Sequence, residues 1–228
     1  MFSKVLSLFK KTPAAEAGEE VEFRYLTKDK KNKRLKEIFS AIPRFETQRL
    51  VLRRIEEKDC DSMHEYSADA QVTKYLVWHP HATLVETRNY IYDIQKKYDN
   101  GKFYDWGLVY KPNGAFVGTC GFASIDINKN TCEVGYVLSQ KYWGLGLMPE
   151  ALERIVEFAF ESLGFDKVEA RFMEGNQRSK AVMEKAGMAY EKTERNAMYI
   201  KGGFKTVYTY SINREMFERR KIIKRQTI

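Results

Sequence analysis

Cysteine is scarce in this chain: Cys60, Cys120 and Cys132 are the only three in 228 residues, odd in number and without a CxxC pair. That excludes a disulfide-stapled miniprotein and points to a reducing, cytoplasmic compartment. No run approaches the roughly 18 apolar residues of a membrane span, and the apolar part of Met1–Lys11 is too short for a secretory signal. Histidine is equally scarce. The His-Pro-His at 79–81 has no Cys, third His or spaced carboxylate to complete a ligand set, so no metal is expected. Apolar material is plentiful, at 43% hydrophobic and 14% aromatic residues, enough for one globular core and too much for wholesale disorder.

Thirty-nine Lys and Arg against thirty-one Asp and Glu give a net charge of +8, a value that invites a nucleic-acid or membrane reading. The excess is unevenly spread. Residues 1–42 hold 10 basic and 6 acidic side chains, residues 214–228 hold 6 and 2, and residues 43–213 hold 23 of each. A neutral body between two basic ends disfavours a nucleic-acid-binding domain. The expected organisation is a basic, partly flexible N-terminal arm over 1–42, one domain over 43–213 and a basic tail over 214–228. Phe2, Val5, Leu6 and Phe9 are spaced for a short amphipathic helix, Thr12–Glu20 reads as a linker, and Lys28–Lys36 is a charge run. The ends are open to two readings, a weak tether to ribosomal RNA or anionic lipid, or a solubilising appendage.

Within the body, Leu50–Ile55 reads as a strand, Glu57–Ala68 and Gln71–Leu76 as short helices, and Thr83–Tyr98 as a longer helix closed by Asn100-Gly101. Tyr104–Tyr110 and Ala115–Ile127 are β-rich runs joined by Lys-Pro-Asn-Gly, a hairpin signal, and Thr131–Ser139 continues the meander. A helix over Pro149–Leu163, a strand over Lys167–Met173, a helix over Ser179–Ala186 and a strand over Phe204–Ile212 follow. An antiparallel meander followed by strand and helix alternation predicts an α+β fold, a mixed α/β sheet with helices on its faces.

One stretch carries chemistry. From Tyr136 the chain reads YVLSQKYWGLGLMPEA, a strand entering a turn with Gly144 and Gly146 and then an amphipathic helix. Glycines admit a ligand close to the backbone, and a helix start offers unsatisfied N–H groups and positive dipole, a combination suited to phosphate. Steric glycines in an ordinary turn are the alternative. Neither a GxGxxG with a following acidic residue nor a GxxxxGK[ST] is present.

The surroundings of this turn resemble the GCN5-related N-acetyltransferase (GNAT) superfamily, most closely its ribosomal-protein alanine and serine N-acetyltransferase branch. The resemblance covers about Phe45–Asn213. It is carried by FETQRLVLRR from Phe45, the loop Trp78-His79-Pro80-His81, Glu133-Val-Gly-Tyr, the YWGLG turn with Glu150-Ala151 behind it, and Asn176-Gln-Arg-Ser179. It implies a mostly antiparallel central sheet with helices on both faces, and acetyl-CoA as acetyl donor. The pantetheine would lie along the backbone of Tyr136, Val137 and Leu138. The pyrophosphate would meet the amides of Trp143, Gly144, Leu145, Gly146, Leu147 and Met148. Trp143 and Met148 stand where the superfamily turn usually has Gln or Arg and Gly or Ala. Asn176 would bond the cofactor or the strand-to-helix turn, or simply cap the helix.

The implied reaction is direct attack of an amine on the thioester. An alkylammonium titrates at about 10.4 and a peptide α-amine at about 7.7 to 8.0, so a proton must leave first. Glu133 is the candidate base, with a solvent-facing strand residue as the plain alternative, and backbone N–H near Val137 would hold the oxyanion. Relatives place a Tyr where Met183 stands, or a Ser and a Glu where Ser179 and Met198 stand. Ser179 is therefore the candidate acid, with helix capping as its alternative. Trp78, His79 and His81 would line the acceptor pocket. The leading acceptor is a protein N-terminal α-amine. A small-molecule amine such as an amino sugar, polyamine or amino-acid derivative is the alternative, and Met183 and Met198 keep a non-catalytic acyl-CoA-binding module in view. Some relatives dimerise, which leaves a homodimer open.

Overall fold

The computed structural model describes Phe23 and residues 25–226. The helix expected within Met1–Lys11 and the linker at Thr12–Glu20 lie outside the described residues. Among the described residues eight strands form one sheet: β1 (Phe45–Glu46), β2 (Leu50–Arg53), β3 (Asp105–Tyr110), β4 (Ala115–Asp126), β5 (Thr131–Leu138), β6 (Lys167–Met173), β7 (Ala189–Ile200) and β8 (Gly203–Asn213). Their order across the sheet is β1-β2-β3-β4-β5-β6-β8-β7. Every neighbouring pair is antiparallel except β5 and β6, which run parallel. The mixed, mostly antiparallel sheet expected from the sequence is the one observed.

Seven α-helices accompany it among the described residues: α1 (Lys28–Ser40), α2 (Cys60–Ser67), α3 (Ala70–Thr73), α4 (Leu84–Asp99), α5 (Leu147–Glu161), α6 (Gln177–Lys185) and α7 (Arg214–Gln226). The main core lies on one sheet face, where Trp106, Leu108, Phe122 and Val134 meet α1, α5 and α7. The other face carries a smaller core in which Ile55 and Phe116 meet Met63 and Tyr66 of α2 and Ile91, Ile94 and Tyr98 of α4. Strand alternation assigns these two sets of side chains to opposite faces. No helix among the described residues is long and apolar enough to cross a membrane.

Both ends depart from the expected arm and tail. Lys31, Leu35, Ile38 and Phe39 form one buried stripe on α1, a pattern visible only when the charge run is read through to Phe39. Phe39 is fully buried, with its ring centroid 4.7 Å from that of Tyr104 and 5.8 Å from that of Trp106. The packed body therefore begins before Lys28, not near Pro43. At the other end Phe217 stacks on Phe160 at 4.8 Å, and Arg220, Lys221 and Lys224 pair with Glu153 and Glu161 of α5. The basic tail is thus docked on α5, with these three cations engaged, and is not a free tether.

Strand β7 was not anticipated. Its sequence, AYEKTERNAMYI, shows no apolar alternation because nearly all of it is exposed at the sheet edge. Pairing with β8 makes it a strand, across register shifts at Tyr190/Lys192 and Glu194/Met198.

Phe39→Ala should destabilise the protein by about 3 to 5 kcal/mol, the cost of emptying a packed aromatic site. Urea denaturation measures it. A loss within error of zero would restore the picture of a loosely attached arm.

Candidate functional site

Strands β5 and β6 pair only over Thr131–Val134 and Lys167–Ala170, and then separate. Beyond Val134, β5 keeps its partner on the β4 side, where Gly135, Tyr136, Val137 and Leu138 face Gly121, Cys120, Thr119 and Gly118. On the β6 side, Gly135–Val137 has no strand partner among the described residues. Unpaired backbone donors and acceptors inside a sheet are costly unless water or a ligand meets them, so this wedge is built to receive an extended chain bearing amides. A cavity of about 510 Å³ occupies it.

The glycine turn closes one end. Gly144 and Gly146 adopt φ of 79° and 74°, a region that side-chain-bearing residues avoid, and α5 starts at Leu147 without a side-chain cap. Behind the turn stands Arg49. Its Nη1 donates to the Leu145 carbonyl at 2.7 Å, and its Nη2 to the Gly146 carbonyl at 3.1 Å. With two successive carbonyls drawn toward Arg49, the backbone N–H groups at the helix start are left for a ligand. Glu150 in turn fixes Arg49: it accepts from Thr47 Oγ1 at 2.6 Å, from Arg49 N at 2.7 Å and from Arg49 Nε at 2.7 Å. Burial opposes its charge, but the hydrogen bonds from Thr47 and Arg49 outweigh that and hold the carboxyl below its ordinary range.

Across the wedge, α6 begins at Asn176, whose Oδ1 accepts from Ser179 N at 3.2 Å. Asn176 is the helix cap, and its Nδ2 carries no hydrogen bond among the described residues. Ser179 Oγ lies 2.8 Å from the Tyr136 hydroxyl, and burial pushes the Tyr136 phenol well above its usual range, so it stays protonated. The Trp143 indole donates to the Leu138 carbonyl at 2.9 Å, and the Arg178 guanidinium stacks 4.2 Å from the Trp143 ring. Glu133 lines the cavity, but both of its oxygens are held by Arg171 at 2.8 Å.

Trp78 lines the cavity, whereas His79 is exposed and lies outside its lining. His81 sits behind Trp78, ring centroids 5.3 Å apart, and its Nδ1 meets Thr87 Oγ1 at 2.8 Å. His64 Nδ1 meets the same hydroxyl at 2.8 Å, so Thr87 donates to one ring and accepts from the other. Burial pulls the His81 pKa down and favours the neutral ring.

The cavity brings together most of the residues expected to form the site: Tyr136, Val137 and Leu138 on β5; Trp143, Gly144, Gly146, Leu147 and Met148 at the turn; Glu133, Asn176, Ser179 and Trp78 around them. Leu145 is exposed and outside it, contributing its carbonyl to Arg49 instead. Met148 buries its side chain and leaves backbone at the turn. Sequence reasoning missed the Thr47–Arg49–Glu150 clamp, although all three residues stood in its motifs, because nothing local links positions about a hundred residues apart. It also missed the Tyr136 hydroxyl, having assigned that residue for its backbone alone. Among the described residues no group of three or more His, Cys, Asp or Glu is placed to hold a metal.

The same architecture occurs elsewhere. The acetyltransferase (GNAT) domain family matches residues 49–189. A Bacillus licheniformis protein described as an uncharacterized N-acetyltransferase is 30% identical over 166 residues, spanning 73% of this chain and 93% of its own. The ribosomal protein uS5 alanine N-acetyltransferase of Escherichia coli is 24% identical over 70% of this chain and 84% of its own. A solved Bacillus anthracis acetyltransferase of the GNAT family superposes with a TM-score of 0.68 at 26% identity, covering 76% of this chain and 99% of that one.

Arg49→Ala releases two turn carbonyls and strands Glu150. It should weaken coenzyme A binding about tenfold or more, the equivalent of about 1.4 kcal/mol. Isothermal titration reads this directly, and unchanged affinity would remove the clamp from the site.

Proposed function

The chain belongs to the acetyltransferase (GNAT) domain family, and from that membership we propose that it moves acetyl from acetyl-CoA to the α-amine at a protein N-terminus in the cytoplasm. The reading is carried by the unpaired β6-side edge of Gly135–Val137, continuous with the clamped turn. That edge matches a pantetheine arm, whose amides complete the missing ladder, and the helix start beyond it matches a pyrophosphate. Arg178 and Lys185 on the cavity wall add positive charge suited to phosphate. Bound acetyl-CoA supplies a thioester as the acetyl source.

The chain's own residues prepare the two sides of the transfer. Tyr136 and Ser179 form a hydroxyl pair in the wedge, and either supplies a proton or hydrogen bond to a departing thiolate. This pair answers the absence of acids at Met183 and Met198: Met183 is buried in the core, while Met198 is part of the cavity wall. A catalytic enzyme is therefore favoured over a binding module. Glu133, held by Arg171, sets the local charge at the wall and must break a bidentate ion pair before it takes a proton.

A protein acceptor is favoured by the E. coli relative named for the alanine of a ribosomal protein, and by the cavity mouth. Val77 lines the cavity yet is 63% exposed. Tyr199 and Phe204 form an exposed edge-to-face pair on the β7–β8 hairpin, whose Lys201 bonds to the Thr73 carbonyl on α3 at 2.6 Å. Such apolar surface outside a reaction centre suits the residues that follow a peptide's terminal amine.

Incubation with acetyl-CoA and peptides beginning with Ala or Ser should add one acetyl group at the α-amine, read by mass spectrometry. A higher kcat/KM for spermidine or glucosamine than for every peptide would overturn the protein-acceptor reading. Ser179→Ala and Tyr136→Phe should each lower kcat about tenfold to a hundredfold with coenzyme A affinity retained. The double variant should lose little more than either single one, because the two hydroxyls act as a unit.

A further inference from the structure

Asp105 opens β3, and the sheet register places it opposite Gly121, which in turn lies opposite Gly135. Side chains at registered positions share a face, so Asp105 lies on the face that carries Glu133, Gly135 and Val137. The Asp105 carboxylate leans over Gly121: a Cβ there would fall 2.5 Å from Asp105 Oδ1. At Gly135 a Cβ would meet only Ala123 Cβ, at 3.5 Å. Neither Gly121 nor Gly135 raises a side chain between this carboxylate and the β5 backbone; Gly135 lines the cavity, whereas Asp105 and Gly121 lie outside its lining. The gap is about one strand spacing, roughly 5 Å.

Among the described residues no hydrogen bond or ion pair engages the Asp105 carboxylate. Its backbone carbonyl, by contrast, accepts from the Tyr98 hydroxyl at 2.6 Å. The titratable groups that feel its charge are Tyr66 on α2, Tyr90 and Tyr98 on α4, and Cys120 on β4. Arg54 stacks over Tyr98 at 4.7 Å, and Asp59, behind Tyr66, is paired with Arg53. His81 lies against Tyr90, ring centroids 5.8 Å apart, and shares Thr87 with His64. Burial pushes the Asp105 carboxyl up to about 7, and burial together with the Asp105 charge pushes Tyr90 up to about 12. Two further carboxylates on this face already have cations, Glu133 in Arg171 and Glu169, registered opposite it, in Lys167.

We propose that Asp105 binds the acceptor's ammonium group above Gly121 and Gly135 and takes its proton. The inference rests on the acetyltransferase reading and names the base that reading requires. The step is a proton transfer, R–NH₃⁺ plus Asp105 carboxylate giving R–NH₂ plus Asp105 carboxylic acid, which leaves the neutral amine's lone pair beside the β5 edge. Asp105 is half-buried, and its carboxylate has no hydrogen-bond or ion-pair partner among the described residues, so partial desolvation of its charged form is not offset within the protein. A cationic substrate supplies the missing counter-ion.

The test compares wild type with Asp105→Asn and Glu133→Gln, using Ala- and Ser-initiated peptides and spermidine as acceptors. Wild-type kcat/KM should rise with pH through a limb near 7 that stays in place between peptide and polyamine, whose own amines titrate differently. Asp105→Asn should lose that limb and about a hundredfold or more in kcat/KM with coenzyme A affinity retained, while Glu133→Gln keeps the limb. A second readout is independent of turnover. A carboxyl whose folded pKa is raised from 3.8 to about 7 binds more protons folded than unfolded in that window, so its contribution to stability falls as pH rises from about 4 to 7. Asp105→Asn should therefore melt higher than wild type at pH 8 and lose that advantage at pH 4. A limb unchanged in Asp105→Asn, or a melting difference equal at both pH values, overturns the proposal. Transfer to spermidine alone, with the limb lost in Asp105→Asn, overturns only the protein-acceptor reading. A wild type that acetylates none of these amines overturns both.

Discussion

The carboxylate of Glu150 is the constraint on which the site depends. It accepts three short hydrogen bonds, two from Arg49 and one from Thr47, and through Arg49 it controls the carbonyls of Leu145 and Gly146. A peptide unit has one donor and one acceptor on opposite sides, so anchoring the acceptor decides where the donor faces. Helix α5, buried along one side against the sheet, holds Glu150 rigidly, and β2, which starts at the next residue, anchors Arg49. The glycines give the turn the freedom to adopt its shape, and the clamp removes that freedom once the chain has folded.

A second constraint is the parting of β5 from β6. Parallel pairing over four residues and then separation leaves one strand with a partner on one side only. The two faces of β5 are put to different uses. Tyr136 belongs to the side that meets Ser179 and the main core, whereas Gly135 and the neighbouring Gly121 clear a floor on the opposite face.

The body was legible in the sequence wherever local signals coincide with the observed element. Lys167–Met173 has the bounds expected of it, the Lys-Pro-Asn-Gly hairpin joins β3 to β4, and Asn176 starts α6. The glycine turn was legible because a strand, a turn and a helix in succession leave few other options. What escaped was long-range or edge-bound. Helix α1 hid in a charge run whose apolar stripe extends past it, and β7 is a strand only because β8 is beside it. Of the candidate site, the backbone contributors could be found, while the clamp, the Tyr136–Ser179 pair and the placement of Asp105 over Gly121 depend on which strands become neighbours. Asp105 carried no motif, and its setting comes from glycines 16 and 30 positions further along the chain.

The clamp spans Thr47 to Glu150, so the turn acquires its ligand-binding form only after most of the sheet has closed around it. An unfolded or half-folded chain lacks that form, and the donor molecule therefore binds the native state alone. Mass action then makes the donor a stabiliser of the fold, by an amount that grows with the logarithm of its concentration. The fold's resistance to unfolding should thus rise with the concentration of coenzyme A in either its free or its acetylated form, since both carry the groups that the turn and the β5 edge would meet.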